Sequence, residues 1–277
     1  MIRSVWIIAV REMRDGFRNR RVVASTLLLA ALALTLSLIG SAPVGELGAS
    51  RLSVAVVSLS SLTTFLIPLI ALIIAHDAIA GEFDRGTMLL LLSYPVRRWQ
   101  IIAGKFLGHV GILTIAIIIG YGLAALAMGL TAAPQESASR LAFLNLLGTS
   151  VMLAAAFLAL GYCVSVVAQS QRAAAGAAIG IWLFFVILYD IALLGLLVVD
   201  DGRMVTVGLF NLLLLANPAD IYRMLNLAGL PDIGRLSGMA GIARDVTLSP
   251  AALAGALLAW ICVPLLFASV AFSRRQV

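Results

Sequence analysis

Long apolar runs alternate with short polar passages along the chain. Residues 22–40, 53–76, 103–130, 141–168, 173–199 and 250–272 carry almost no charge. About 20 apolar residues in a helix cross a hydrocarbon core of about 30 Å, so these runs predict six transmembrane helices. Ahead of them, residues 1–21 place Val5, Ile8, Ala9, Glu12 and Met13 at near-helical spacing, with Trp6, Phe17 and six arginines around them. That pattern predicts an amphipathic helix at the membrane interface. A basic leader before an apolar run ending near Gly40 and Ala42 also has the outline of a secretory signal, but the run is longer than a usual signal core. It is therefore read as the first span. The expected fold is all-α, a single transmembrane domain over 1–277.

Two passages interrupt the apolar pattern. Residues 77–102 gather Asp77, Glu82, Asp84, Arg85, Arg97 and Arg98 between spans two and three. This density of charge belongs in water at a membrane face. A short helix is expected there from about Glu82 to Leu92, ending before Tyr94–Pro95 because a residue preceding proline is pushed out of the helical region. Residues 200–249, between spans five and six, hold two apolar pieces too short to cross. Met204–Ala216 has the length of a re-entrant or interfacial helix. Asn217 as N-cap, Pro218 at the first position, Asp220 in the first turn and Gly229 beyond the end then mark a short helix. Its apolar face, Ile221, Met224, Leu225 and Ala228, either plugs the bundle or docks an extracytoplasmic partner. On the second alternative, Asn217, Ile221, Arg223 and Leu225 are the candidate contacts.

Composition excludes a soluble domain. The chain is 62% hydrophobic and 12% charged, with a mean hydropathy of +1.09, whereas soluble domains are about a quarter charged. Its net charge of +6 comes from arginines at the ends of apolar runs, which anchor and orient membrane helices rather than bind nucleic acid. Six spans put both termini on one side, which carries thirteen of the 19 bases. The positive-inside rule then makes the termini and the 77–102 loop cytoplasmic.

Candidate chemistry is sparse. Span two is dense in hydroxyls, so Ser60 and Thr64 either line a cavity or bond their own helix carbonyls. Asp190 is a carboxylate well inside a span, costly enough to be a candidate cavity residue, or else a packing contact near an aqueous vestibule. His109 reads as an interfacial histidine, and Cys163 and Cys262 as small buried hydrophobes. Gly104-xxx-Gly108, Gly176-xxx-Gly180 and Ala251-xxx-Gly255-xxx-Ala259 predict close helix packing, within or between chains. No HExxH, GxSxG or paired His/Cys motif occurs, so no catalytic or metal site is expected. The eight methionines lack MxxM spacing and point to packing rather than to a metal path. Gly81 to Gly86 has phosphate-loop spacing, but Thr87 stands where the lysine should be. The chain is thus not expected to bind nucleotide itself.

Glu82-x-x-Arg85-Gly86-Thr87, Leu91-Leu92-Ser93-x-Pro95-x-Arg97-Arg98 and Gly104-Lys105 resemble the signature of ABC-2 type transporter permeases. The resemblance implies that the loop between spans two and three is a cytoplasmic coupling helix that contacts an ATPase. Glu82, Asp84, Arg85, Gly86, Thr87, Pro95, Arg97 and Arg98 are then the coupling residues. More narrowly, the length and Asn217 to Arg223 resemble permeases of the ABC system that matures nitrous oxide reductase. This implies a bacterial inner-membrane homodimer, two copies of a NosF-like ATPase that hold the ATP and Mg, and a NosD-like periplasmic protein. Two modes stay open: export of a small substrate, or mechanical transmission to the periplasmic partner. A lipid or drug exporter would share the loop motifs. A secondary transporter would need the inverted repeat and broken-helix ion ligands that this sequence lacks.

Overall fold

A computed structural model describes residues 2–39, 51–129, 137–200, 206–227 and 248–275. The described residues are helical, with no strand among them. The helices are α1 (Ile2–Arg18), α2 (Arg20–Ile39), α3 (Arg51–Ala75), α4 (Ala80–Asp84), α5 (Thr87–Leu92), α6 (Arg98–Gly129), α7 (Ser137–Val167), α8 (Gln171–Leu183), α9 (Tyr189–Asp200), α10 (Val207–Leu215), α11 (Pro218–Leu227) and α12 (Pro250–Arg274). A π-helical turn, Phe184–Leu188, joins α8 to α9 in one long rod. Five described stretches are long and apolar enough to cross a membrane: Val56–Asp84, Arg98–Leu126, Leu141–Val167, Gln171–Val199 and Pro250–Arg274. The apolar stretch of α2, Val22–Thr35, is shorter. The segment near Gly40 to Ala42, and residues 201–205 and 228–247 of the expected external segment, lie outside the described residues.

Local sequence sets the helix starts. Ser170, Thr206 and Ser249 are extended N-caps whose hydroxyls accept from Ala173, Leu209 and Ala252 N–H, and Pro250 occupies the first turn of α12. Each cap satisfies a backbone donor that the helix cannot.

α7 is the central post, with α3 and α12 packed along it, while α6 carries α1 and α2. The Gly104/Gly108 stripe serves α1. A Cβ on Gly104 would stand 2.7 Å from the Ile8 Cβ and 2.9 Å from the Val5 carbonyl oxygen. One on Gly108 would stand 2.9 Å from the Ala9 carbonyl oxygen and 2.7 Å from the Glu12 Cβ. The amphipathic helix is therefore seated on the first turns of α6 by the very face its spacing marks. A Cβ added to Gly176, Gly180 or Gly255 would meet nothing within 4 Å, so those stripes are unfilled among the described residues. Cys262, expected to be buried, faces outward on α12.

Candidate coupling site

The charged loop folds as two helices, not one. Gly86 takes φ +70 between α4 and α5, a left-handed conformation open to glycine at little cost. It breaks the expected Glu82–Leu92 helix, and α5 ends at Leu92, before Tyr94–Pro95. Ser165 of α7 ties down the preceding turn. Its hydroxyl donates to the His76 carbonyl at 2.7 Å and accepts from Ile79 and Ala80 N–H, each at 3.0 Å.

Glu82 turns inward rather than presenting its charge to solvent. It meets Lys105 of α6 at 2.6 Å, and the same Lys105 Nζ donates to both Glu12 oxygens, at 3.0 and 3.2 Å. Lys105 is 3% exposed. His109, one turn along α6, sets Nε2 3.2 Å from Glu12 and Nδ1 2.8 Å from the Tyr162 hydroxyl of α7. One buried ammonium thus joins α1, α4 and α6, and histidine extends the link to α7. Burial pushes the Glu12 carboxyl up, but the His109 hydrogen bond and the charges of Lys105 and His109 outweigh it, holding Glu12 at about 2.

Asp77, Asp84, Arg85 and Arg98 are also engaged. Arg85 donates to Asp77 at 3.1 and 3.4 Å across Gly81, where a Cβ would fall 1.6 Å from an Asp77 oxygen. The Asp84 carboxylate accepts from Gln171 N–H at 2.7 Å, in the first turn of α8. Arg98 donates to the Phe272 and Ser273 carbonyls ending α12, at 2.9 and 3.3 Å, and Arg275 donates to Val166 and Ala168 at the end of α7, at 2.6 and 3.1 Å. The Arg275 guanidinium also lies 4.2 Å from the Phe83 ring centre of α4. These bonds satisfy carbonyls that helix ends leave open.

What remains exposed is largely apolar. Met88 is buried, while Leu89 and Leu90 are 62% and 67% exposed and Tyr94 is 65% exposed. Arg85, Gly86, Thr87, Pro95 and Arg97 are exposed beside them. A cavity of about 480 Å³ lies between this unit, α1 and α6, with Glu12, Asp77, Glu82, Arg85, Lys105 and His109 in its wall.

The other candidate residues lie elsewhere. Ser60 and Thr64 are buried, and Thr64 donates to the Ser60 carbonyl at 2.9 Å. Neighbouring Thr63 bonds the Tyr121 hydroxyl. Thr63 and Thr64 donate to carbonyls of their own helix, those of Leu59 and Ser60. Asp190 pairs with Arg223, which also contacts Asp220 at 3.0 Å, beside a cavity of about 20 Å³. That space is about one water in size. The pairing pins α11 to α9. Asn217 Nδ2 donates to Phe185 in the π turn at 2.9 Å, and its Oδ1 accepts from Ala219 N–H at 3.0 Å. Ile221 and Leu225 pack with Ala156 of α7 and Leu253 and Leu257 of α12. Of the candidate partner contacts, Asn217, Ile221 and Leu225 are buried and Arg223 is half-buried and ion-paired. In this conformation the α11 face is a plug.

Glu12, Asp77, His109, Ser165 and Arg275 were not singled out for the site by sequence. Glu12 left a signal: a carboxylate amid the apolar face of an amphipathic helix calls for a buried cation.

The family model described as "ABC-2 family transporter protein" matches residues 6–277. The chain is 45% identical over 275 residues to the "Probable ABC transporter permease protein NosY" of Pseudomonas aeruginosa, with 99% of each chain covered. It is 44% identical over 273 residues to the protein of the same description from Stutzerimonas stutzeri, covering 98% of this chain and 99% of that one.

Proposed function

Since this chain belongs to the ABC-2 family of membrane transporter proteins, we propose that it is the permease of an ATP-driven complex supporting copper-site assembly in nitrous oxide reductase. The observation that carries the reading is the exposed surface from Arg85 to Arg97, braced through Lys105, Ser165 and Asp84 to α6, α7 and α8. An ATPase seated on Leu89, Leu90, Tyr94 and Arg97 would move α4 and α5 as one unit. That motion reaches α6 through Glu82, α7 through Ser165 and α8 through Asp84.

In this reading α2 is the first of six spans, both termini are cytoplasmic, and the chain sits in a bacterial inner membrane. Nucleotide and Mg stay on two copies of a NosF-like ATPase. A second copy of the chain completes the permease, with the unfilled small-residue stripes on α8 and α12 free to meet it. Asp190 is engaged by Arg223 rather than open to a solute, which favours mechanical transmission toward a NosD-like periplasmic protein over export. Export of a lipid or other small molecule is the competing reading, because it needs the same cytoplasmic unit.

Co-purification from membranes with the tag on this chain tests the reading. The expected result is an ATPase in the same peak whose turnover changes with Glu82→Ala, and loss of reductase copper loading in cells carrying that variant. Recovery of the ATPase on the tagged chain, together with copper loading that survives deletion of this gene in a separate strain, would leave a permease of another cargo.

A further inference from the structure

The side of α1 turned away from α6 has no role in the unit above. Residues 100° apart place Ala9, Glu12 and Gly16 against α6 and put Arg3, Arg11, Arg14 and Arg18 on the far side. Trp6, Val10 and Phe17 form an adjoining strip, with Trp6 66% exposed and Phe17 47% exposed. Arg11 faces Asp15 at 3.7 Å. Among the described residues no carboxylate pairs with Arg3, Arg14 or Arg18. Trp6, Ile7, Val10, Arg11, Arg14 and Asp15 border a shallow depression of about 370 Å³ on this surface, where the Asp15 carboxylate is paired with Arg11.

We propose that this face of α1 is a docking surface for anionic phospholipid, with the headgroup on Arg3, Arg14 and Arg18 and the acyl chains along Trp6 and Phe17. The chemistry decides the occupant. An acidic protein segment would need no exposed indole and phenyl strip beside the arginines, and a zwitterionic lipid would leave three cations uncompensated. An arginine row flanked by an aromatic strip matches the boundary between headgroups and acyl chains.

The test uses the full-length chain purified in an uncharged detergent, with phosphatidylglycerol and phosphatidylcholine titrated separately and retained lipid counted by native mass spectrometry. Phosphatidylglycerol is expected to bind tightly and phosphatidylcholine weakly. The triple variant Arg3→Gln, Arg14→Gln, Arg18→Gln is expected to lose on the order of 5-fold in phosphatidylglycerol affinity per arginine, with its unfolding temperature in phosphatidylcholine unchanged. Trp6→Ala, which leaves the arginines in place, is expected to weaken the same lipid several-fold. Equal affinity for the two lipids, wild-type phosphatidylglycerol binding in both variants, or displacement of the lipid by millimolar inorganic phosphate would each overturn the proposal.

Discussion

Replacing Lys105 with methionine keeps the length of the side chain and removes its charge. Lys105 is 3% exposed and stands between Glu12 at 3.0 Å and Glu82 at 2.6 Å. Removing it leaves two part-buried carboxylates facing one another, and breaking a buried pair in this way costs about 3–5 kcal/mol. Against the upward push of burial, Glu12 is held at about 2 from an ordinary 4.5 by the His109 hydrogen bond and then by the Lys105 charge, so it keeps part of its preference for the ionised form without Lys105, which places the cost at the lower end of that range. Thermal unfolding in detergent at pH 7 should therefore fall by on the order of 10 °C. The sign with pH is fixed. A depressed carboxyl contributes stability fully present above 4.5 and lost as pH falls toward 2, so wild type should approach Lys105→Met across that window. Adding Glu12→Gln and Glu82→Gln to Lys105→Met should recover much of the loss. Unfolding of the single variant within a degree of wild type at pH 7 would refute the reasoning.

Four further outcomes are expected. Gly108→Val drives a side chain into Ala9 and Glu12, so α1 should detach and a cysteine at position 9 should become reactive to a soluble maleimide. Gly86→Val, forced to φ +70, should cost about 1–2 kcal/mol of loop stability and appear as faster amide exchange in α4 and α5 with the spans unchanged. Arg223→Gln strands Asp190 and Asp220, and should lower the unfolding temperature by more than Asp190→Asn does. Ser165→Ala should weaken nucleotide-dependent signals from α7 while leaving ATPase binding intact, measured as ATPase retained on the tagged chain.

Five of the six spans were legible because apolar run length is a property of the chain alone. The start of α11 at Asn217 and Pro218 was equally local. Three features needed the fold. The Gly86 break was hidden because Thr87 to Leu92 continues a helix-forming sequence, and the left-handed glycine leaves no mark beyond its own identity. The inward turn of Glu82 depends on Lys105, 23 positions away, and on Glu12, which a pattern reading places on a different helix. The burial of Ile221 and Leu225 depends on α7 and α12 leaving a gap of the right depth; from the sequence, a plug and a docking helix share one amphipathic face. The π turn at Phe184–Leu188 also escaped notice, since its cause is tertiary: Asn217 supplies a donor to the Phe185 carbonyl.

The central claim is that force enters through the surface built by α5 and the turn after it. A photo-crosslinking residue at Leu90, with Ile191 on α9 as an exposed control, tests this in native membranes. The account predicts a crosslinked ATP-binding subunit at 90, changing in yield with nucleotide, and none at 191. No ATPase adduct at 90, or equal adducts at both positions, would contradict it.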